Sequence, residues 1–200
     1  MDNKIITISR EFGSGGRELG KRLAEALHIP CYDHQIIEMI AKENGLNADY
    51  VANVGEKCIE AAYPMTIGHR FAMPPVQIMD QGFQVAAAQQ QIIENFAKQG
   101  DCVIVGRCAD YILKDRPDCL HIFIHADMEH RAARVRERYG ETKQPMEKRL
   151  QEKDSKRKIY YKHYTNRNWG EAQNYHLCLN SGLIGVDKCT DIICDVAEMV

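Results

Sequence analysis

Apolar residues in this chain follow two rhythms, short β-branched runs and longer stretches at helical spacing, and the two alternate along its length. The first run, residues 4–9 (KIITIS), predicts a strand that ends at glycines. A helix over 18–27 follows, on which Leu19, Leu23, Ala26 and Leu27 share one face while Glu18, Lys21, Arg22 and Glu25 stay wet. Residues 29–32 predict a short second strand, with Pro30 tolerated only at its beginning. A helix over 34–44 stops near Gly45. The stretch 45–80 loses both rhythms; with Pro64, Pro74, Pro75 and glycines at 55 and 68, it reads as short helices and loops covering a site.

Helical spacing returns over about 76–98 and closes at Gly100. Residues 101–106 (DCVIVG) and 120–125 (LHIFIH) predict buried strands. Two charged helices follow, over about 128–139 and 145–164, separated by Gly140. Residues 175–179 (YHLCL) predict the last strand and 186–200 a final amphipathic helix. Strands alternating with helices imply an α/β fold whose parallel sheet is covered on both faces.

The length of 200 residues fits one domain, and 44% hydrophobic with 27% charged residues is ordinary for a folded, soluble body. Lys and Arg number 26 against 28 Asp and Glu, so the net charge of −2 excludes a global drive toward nucleic acid or anionic membrane. Any anion site has to be local, and basic residues cluster over 131–138 and 143–167. No C-x-x-C pair occurs among the eight cysteines, and the spacings of Cys102 with Cys108 and of Cys189 with Cys194 do not suit zinc. Cys31, Cys102, Cys119 and Cys178 lie in or beside strand-like runs and read as reduced thiols of a cytoplasmic protein. No apolar run approaches the ~20 residues needed to span a bilayer. Nothing in the pattern sets a subunit number.

Chemistry concentrates in four places. Gly13-Ser14-Gly15-Gly16-Arg17 lies between the first strand and first helix, where glycines let successive amides approach phosphate oxygens and the helix start adds partial positive charge. It is not the standard G-x-x-x-x-G-K-[ST] loop, because no lysine follows the glycines. Arg17 is the obvious substitute cation, with Arg10 and Lys21 as fallbacks. Gly106-Arg107 ends the strand DCVIVG, where ligands of open α/β sheets bind. Asp33 follows the second strand and can cap the next helix, meet a ligand, or do both. Arg131, Arg134 and Arg157 lie on the two charged helices, either facing a polyphosphate or paired with Glu129, Glu137 or Asp154. Tyr160, Tyr161, Tyr164, Trp169 and Tyr175 read as packing, and His163 and His176 lack the neighbours of a hydrolase triad.

With ITISREFGSGGREL at its start and VIVGR later, the sequence resembles the cytidylate kinase-like branch of the P-loop nucleoside monophosphate kinases over about 5–196. Against the G-S-G-K-G-T-L loop of cytidylate kinases, Gly16 stands at the lysine, Arg17 at the next glycine and Glu18 at the threonine. Arg107 matches the arginine of a G-R-D element that holds the acceptor phosphate; Cys108 takes the aspartate's place and Asp110 lies two further on. Asp33 matches an aspartate near the nucleotide acceptor. The resemblance implies a three-layer P-loop NTPase fold with a five-stranded parallel sheet, a helical lid over about 128–165 and an acceptor-side insertion over about 45–99. It also implies an ATP donor, Mg²⁺ and a nucleoside monophosphate acceptor, CMP or dCMP first. Gly13, Ser14, Gly15, Gly16 and Arg17 would then bind ATP phosphates, Asp33, Arg107 and Asp110 the acceptor, and Arg17, Arg131, Arg134 and Arg157 the transferred group. Two other readings are a catalytically silent nucleotide-binding module and a kinase of a non-nucleotide small molecule.

Overall fold

In the computed structural model, which describes residues 4–33, 35–43, 45, 76–141 and 143–199, the β-branched runs form one sheet. Its strands are β1 (Ile5–Arg10), β2 (Cys31–Tyr32), β3 (Cys102–Val105), β4 (Cys119–His125) and β5 (Leu177–Asn180). Their order is β2-β3-β1-β4-β5 and every pairing is parallel. β1 is the centre of the sheet, with Ile5 opposite Cys102 on one side and Cys119 on the other.

Parallel pairing requires crossovers, and helices supply them: α1 (Gly16–Leu27), α2 (Gln35–Glu43), α3 (Val76–Gln99), α4 (Ala109–Ile112), α5 (Met128–Tyr139), α6 (Met146–Thr165), α7 (Ser181–Ile184) and α8 (Val186–Ala197). Side chains alternate across a strand, so one face of the sheet carries Ile6, Ile8, Val103, Val105, Ile122 and Ile124 against Leu19 and Leu23 of α1 and Ile193 of α8. The other carries Ile5, Cys102, Ile104 and Cys119 against Ile36 and Ile40 of α2, Ile92, Ile93 and Phe96 of α3, and Leu113. The α/β fold with a five-stranded parallel sheet between helical layers is therefore present. Helices α5 and α6 form a hairpin with its own small core of Ala132, Val135, Met146 and Leu150, against which Phe12 packs.

Most element ends lie within a residue or so of expectation, and two of the differences have a clear local cause. Helix α1 begins at Gly16, two residues early, because Gly15 adopts φ 84° as its N-cap, so Gly16 and Arg17 belong to the first helical turn. The last strand begins at Leu177, since residues 172–174 form a 3₁₀ turn closed by the Tyr175 N–H on the Ala172 carbonyl. The expected irregular stretch 45–80 falls, for 46–75, outside the described residues; Gly45 is a turn and α3 occupies 76–80. Among the described residues no helix is long and apolar enough to cross a membrane.

Candidate functional site: a basic crevice at the carboxyl ends of β1 and β3

Adjacent strands β1 and β3 hand the chain to opposite faces of the sheet: α1 packs in one hydrophobic layer and α4 in the other. Their carboxyl ends therefore splay and leave a crevice, the position at which open α/β sheets bind ligands. Arg10 ends β1 there, Gly106 and Arg107 follow β3, and Asp33 follows β2.

The turn after β1 is fixed from beneath. Its first amide, of Glu11, donates to the Ile124 carbonyl at 2.9 Å. Gly13 and Gly15 hold φ of 86° and 84°, a region costly for residues with a Cβ, and a Cβ on Gly13 would come within 2.9 Å of the Arg131 carbonyl. Ser14, expected among the phosphate contacts, instead points inward. It is fully buried, with its hydroxyl 3.0 Å from the Glu11 carbonyl and 3.2 Å from that of Ile124, and its own carbonyl accepts from Ser181 Oγ at 2.6 Å. Pinning Ser14 leaves the amides of Gly15, Gly16 and Arg17 at the start of α1, where no intrahelical carbonyl can reach them.

Two cavities open into the crevice. One, of about 410 Å³, is lined by Gly13, Gly15 and Gly16 and by the cations Arg17, Lys21, Arg134, Arg138 and Arg149. The other, of about 240 Å³, is lined by Ser9, Gly106, Arg107, Cys108, Lys156, Tyr160, Tyr161 and Trp169. Arg10, Lys153 and Arg157 line both. Burial first, then the Arg157 guanidinium, pushes Arg10 down to about 9, and burial, opposed by Asp154, lowers Arg157 as well. Both stay charged at neutral pH, so the crevice carries more positive charge than it neutralises and favours an anion. Arg149 Nη1 is buried without a hydrogen-bond partner among the described residues and borders the first cavity.

The candidate residues divide. Arg157 lies at the junction, with Nη1 3.1 Å from the Arg10 carbonyl and 3.4 Å from Asp154 Oδ1. Arg134 borders the turn beside Gly15 and pairs with Glu18. Burial would raise the Glu18 carboxyl, but Arg134, Arg138 and Arg22 outweigh it and hold it below the ordinary range. Asp33 accepts from Arg17 Nε at 2.5 Å and lies 3.7 Å from Arg10 Nη2. Arg107 borders the second cavity, and residues 106–108 run through three successive positive φ values of 80°, 58° and 55°. Two of these are costly for residues with a Cβ, and Gln89 holds the bend by donating to the Arg107 carbonyl at 2.9 Å.

Arg131 and Asp110 do not belong to the crevice. Arg131 is 6% exposed, donates to Asp154 Oδ2 at 2.5 Å and to the Phe12 carbonyl at 3.3 Å, and so ties α5 to α6 and to the turn. Asp110 is 3% exposed and accepts from Tyr161 Oη at 2.6 Å and Ser9 Oγ at 3.2 Å, beneath the second cavity. Burial raises its carboxyl while these two donors oppose the shift.

Lys153 and Lys156, which the sequence placed in a charged helix without a site role, and Tyr160, which it read as packing, share the crevice with Arg157. Their spacing of three, four and seven marks one helix face and was readable there. Among the described residues no three His, Cys, Asp or Glu side chains cluster for a metal, and Glu18 stands where the cytidylate kinase loop has its threonine hydroxyl.

Comparison with known proteins agrees with this fold. A solved structure of an uncharacterized protein from Eubacterium ventriosum ATCC 27560 is 29% identical, with 98% of each chain covered and a TM-score of 0.73. Shikimate kinase from Acinetobacter baumannii in complex with shikimate is 13% identical over 97% of this chain and 92% of its own, TM-score 0.53. A gluconokinase from Sinorhizobium meliloti 1021 is 17% identical over 98% and 95%, TM-score 0.56. At these identities the two kinases speak for the fold alone. No curated protein matches the chain significantly. The sequence profile of the cytidylate kinase-like family matches residues 5–183, nine-tenths of the molecule, and this chain belongs to that family.

Proposed function

We propose that this chain transfers the γ-phosphoryl group of ATP to a nucleoside monophosphate in the cytoplasm, with CMP or dCMP as the first acceptor to test. The observation that carries the reading is the meeting of two basic cavities at Arg10, Lys153 and Arg157. Two phosphate-bearing ligands that share three cations at one junction are arranged for transfer between them.

The amides of Gly15, Gly16 and Arg17 hold the donor phosphates, and Arg134 and Arg149 flank them. Arg107, Lys156 and Asp33 orient the acceptor. The bond between the γ-phosphorus and the bridging oxygen of ADP breaks as an acceptor phosphate oxygen bonds to that phosphorus; ADP leaves with the electron pair. An acceptor phosphate is already anionic at neutral pH, so no side-chain base is needed. Arg157 and Lys153 stabilise the charge spread over the transferred oxygens, and closure of the α5–α6 lid excludes water. Magnesium enters on the phosphates of ATP as part of the substrate.

A coupled assay of Mg-ATP against a panel of monophosphates tests this. Diphosphate product with at least one cytosine nucleotide is expected, and Arg157→Leu should lower kcat/KM by about 10²–10³. ATP binding without product from any monophosphate would favour the silent module, to which the absent loop lysine lends weight. Product from a hydroxylated metabolite alone would favour the small-molecule kinase.

A further inference from the structure

Set against the G-x-x-x-x-G-K pattern of phosphate-binding loops, residues 10–16 read R-E-F-G-S-G-G. The arginine stands where the pattern opens on glycine, and a glycine stands where it closes on lysine. We infer that these two positions have exchanged roles, and that Arg10, reaching in from the end of β1, is the cation that grips the donor's terminal phosphates in place of the lysine. The inference rests on the phosphoryl-transfer reading above and assigns one residue within it.

Steric contact links the two positions. A Cβ on Gly16 would lie 2.5 Å from Arg10 Cβ and 2.8 Å from Cγ, closer than side-chain carbons can approach. A Cβ on Gly106 would lie 2.0 Å from Arg10 Nη1. The stem of Arg10 therefore runs against the backbone of α1's first residue, and its guanidinium lies against the bend that follows β3. A lysine at 16 and the present path of Arg10 exclude one another, so the lost lysine and the gained arginine are a single structural change.

Position also selects Arg10 among the three cations that the sequence offers for the lysine's place, Arg10, Arg17 and Lys21. Arg17 is 43% exposed at its side chain and held by Asp33 through Nε at 2.5 Å, and Lys21 lies a turn further along α1 and borders only the turn-side cavity. Arg10 is 18% exposed and borders both cavities, and Asp33 lies 3.7 Å away, longer than its pairing with Arg17. A forked guanidinium there can bind two phosphate oxygens through two donors fixed in one plane, a geometry an ammonium does not hold.

Titration calorimetry of Mg-ATP and of adenosine, on the wild type and on Arg10→Gly, Arg10→Met, Gly16→Lys and the double variant R10G/G16K, tests the exchange. Arg10→Gly and Arg10→Met should each weaken Mg-ATP about 30-fold and leave adenosine within about twofold, since a hydrogen bond to a charged group carries that much. Gly16→Lys alone should gain nothing, because the lysine meets Arg10. The double variant, which restores the standard pattern, should recover Mg-ATP to within about fivefold of wild type. Arg10→Met keeps the stem and carries the test if Arg10→Gly does not fold. Arg10 variants that bind Mg-ATP within threefold of wild type overturn the inference, as does a double variant of unchanged melting temperature that recovers nothing. Arg10-dependent ATP binding by a protein that phosphorylates no monophosphate would remove the transfer reading and leave the exchange standing; Arg10→Met that turns over monophosphates at the wild-type rate would do the reverse. A wild type that binds no Mg-ATP removes both.

Discussion

His121 illustrates how much a single buried polar side chain can set. It sits at 5% exposure on β4, directly opposite Thr7 in the sheet register, with Nδ1 2.8 Å from Thr7 Oγ1 and its ring stacked on His176 at 4.9 Å. Burial first, then His176 and Arg167, pushes it down to about 4. The folded state therefore keeps His121 neutral between pH 4 and its unfolded value near 6.5, while the unfolded chain takes up a proton, so this group's contribution to stability is lost as pH falls through that window. From pH 7.5 to 5.5 the loss amounts to about 1.4 kcal/mol. Urea denaturation at the two pH values should register it in the wild type, and His121→Asn should reduce the pH dependence by about that amount; an unchanged dependence would mean that His121 is not held neutral. The hydrophobic run LHIFIH told of a strand but not of this residue's state, because the groups that set it, Thr7, His176 and Arg167, come from distant parts of the chain.

At the scale of elements, α6 serves two masters. Met146, Leu150, Asp154 and Tyr161 are buried along it, while Lys153, Lys156, Arg157 and Tyr160 border the crevice. Asp154 connects the two roles. Its carboxylate accepts from the Phe12 amide at 2.7 Å and from Arg131 Nη1 at 2.5 Å, and lies 3.4 Å from Arg157 Nη1. Asp154→Asn takes the nearer counter-charge from buried Arg131 and leaves it only Glu11, 3.5 Å from its Nε, which costs about 3 kcal/mol and lowers Tm by ~10 °C. Calorimetry of the variant measures the loss; a shift under ~2 °C would mean that the pair does not lock the hairpin to the turn. Charge clustering announced both helices, and the i, i+3 and i+4 spacing of their basic residues was visible. It could not tell Arg131, which the hairpin buries, from Arg157, which the crevice keeps, since each stands in the same kind of charged helical sequence.

For the molecule as a whole, a net charge of −2 coexists with a crevice bordered by Arg10, Arg107, Lys153, Lys156 and Arg157. Such focusing draws a small anion in against an otherwise weakly acidic surface, and salt screens it over about 10 Å at 0.1 M. On the proposed function, kcat/KM for the monophosphate should fall about tenfold between 50 and 300 mM KCl while kcat changes less than twofold. Steady-state kinetics across that series decides it, and a flat kcat/KM would mean that the cations are neutralised within the protein. Composition averaged these charges away. The sheet order, which brings the ends of β1 and β3 together from positions about a hundred residues apart, and the placement of α6 over them gather these charges in one place.

By itself the sequence determined the alternation of strands and helices, the parallel sheet, the glycine turn after β1 and the arginine after β3. These depend on side-chain periodicity and on glycines at a strand's end, which act within a few residues. Tertiary structure alone decided which polar groups reach the crevice. Ser14, Asp110 and Arg131 turn inward because Ile124, Ser9 with Tyr161, and Asp154 meet them there, and Arg10 reaches both cavities because Gly16 and Gly106 leave it room. A charged side chain's role is set by what lies across from it, and in this fold that neighbour lies beyond the reach of local sequence, 101 residues away for Ser9 with Asp110 and 23 for Arg131 with Asp154.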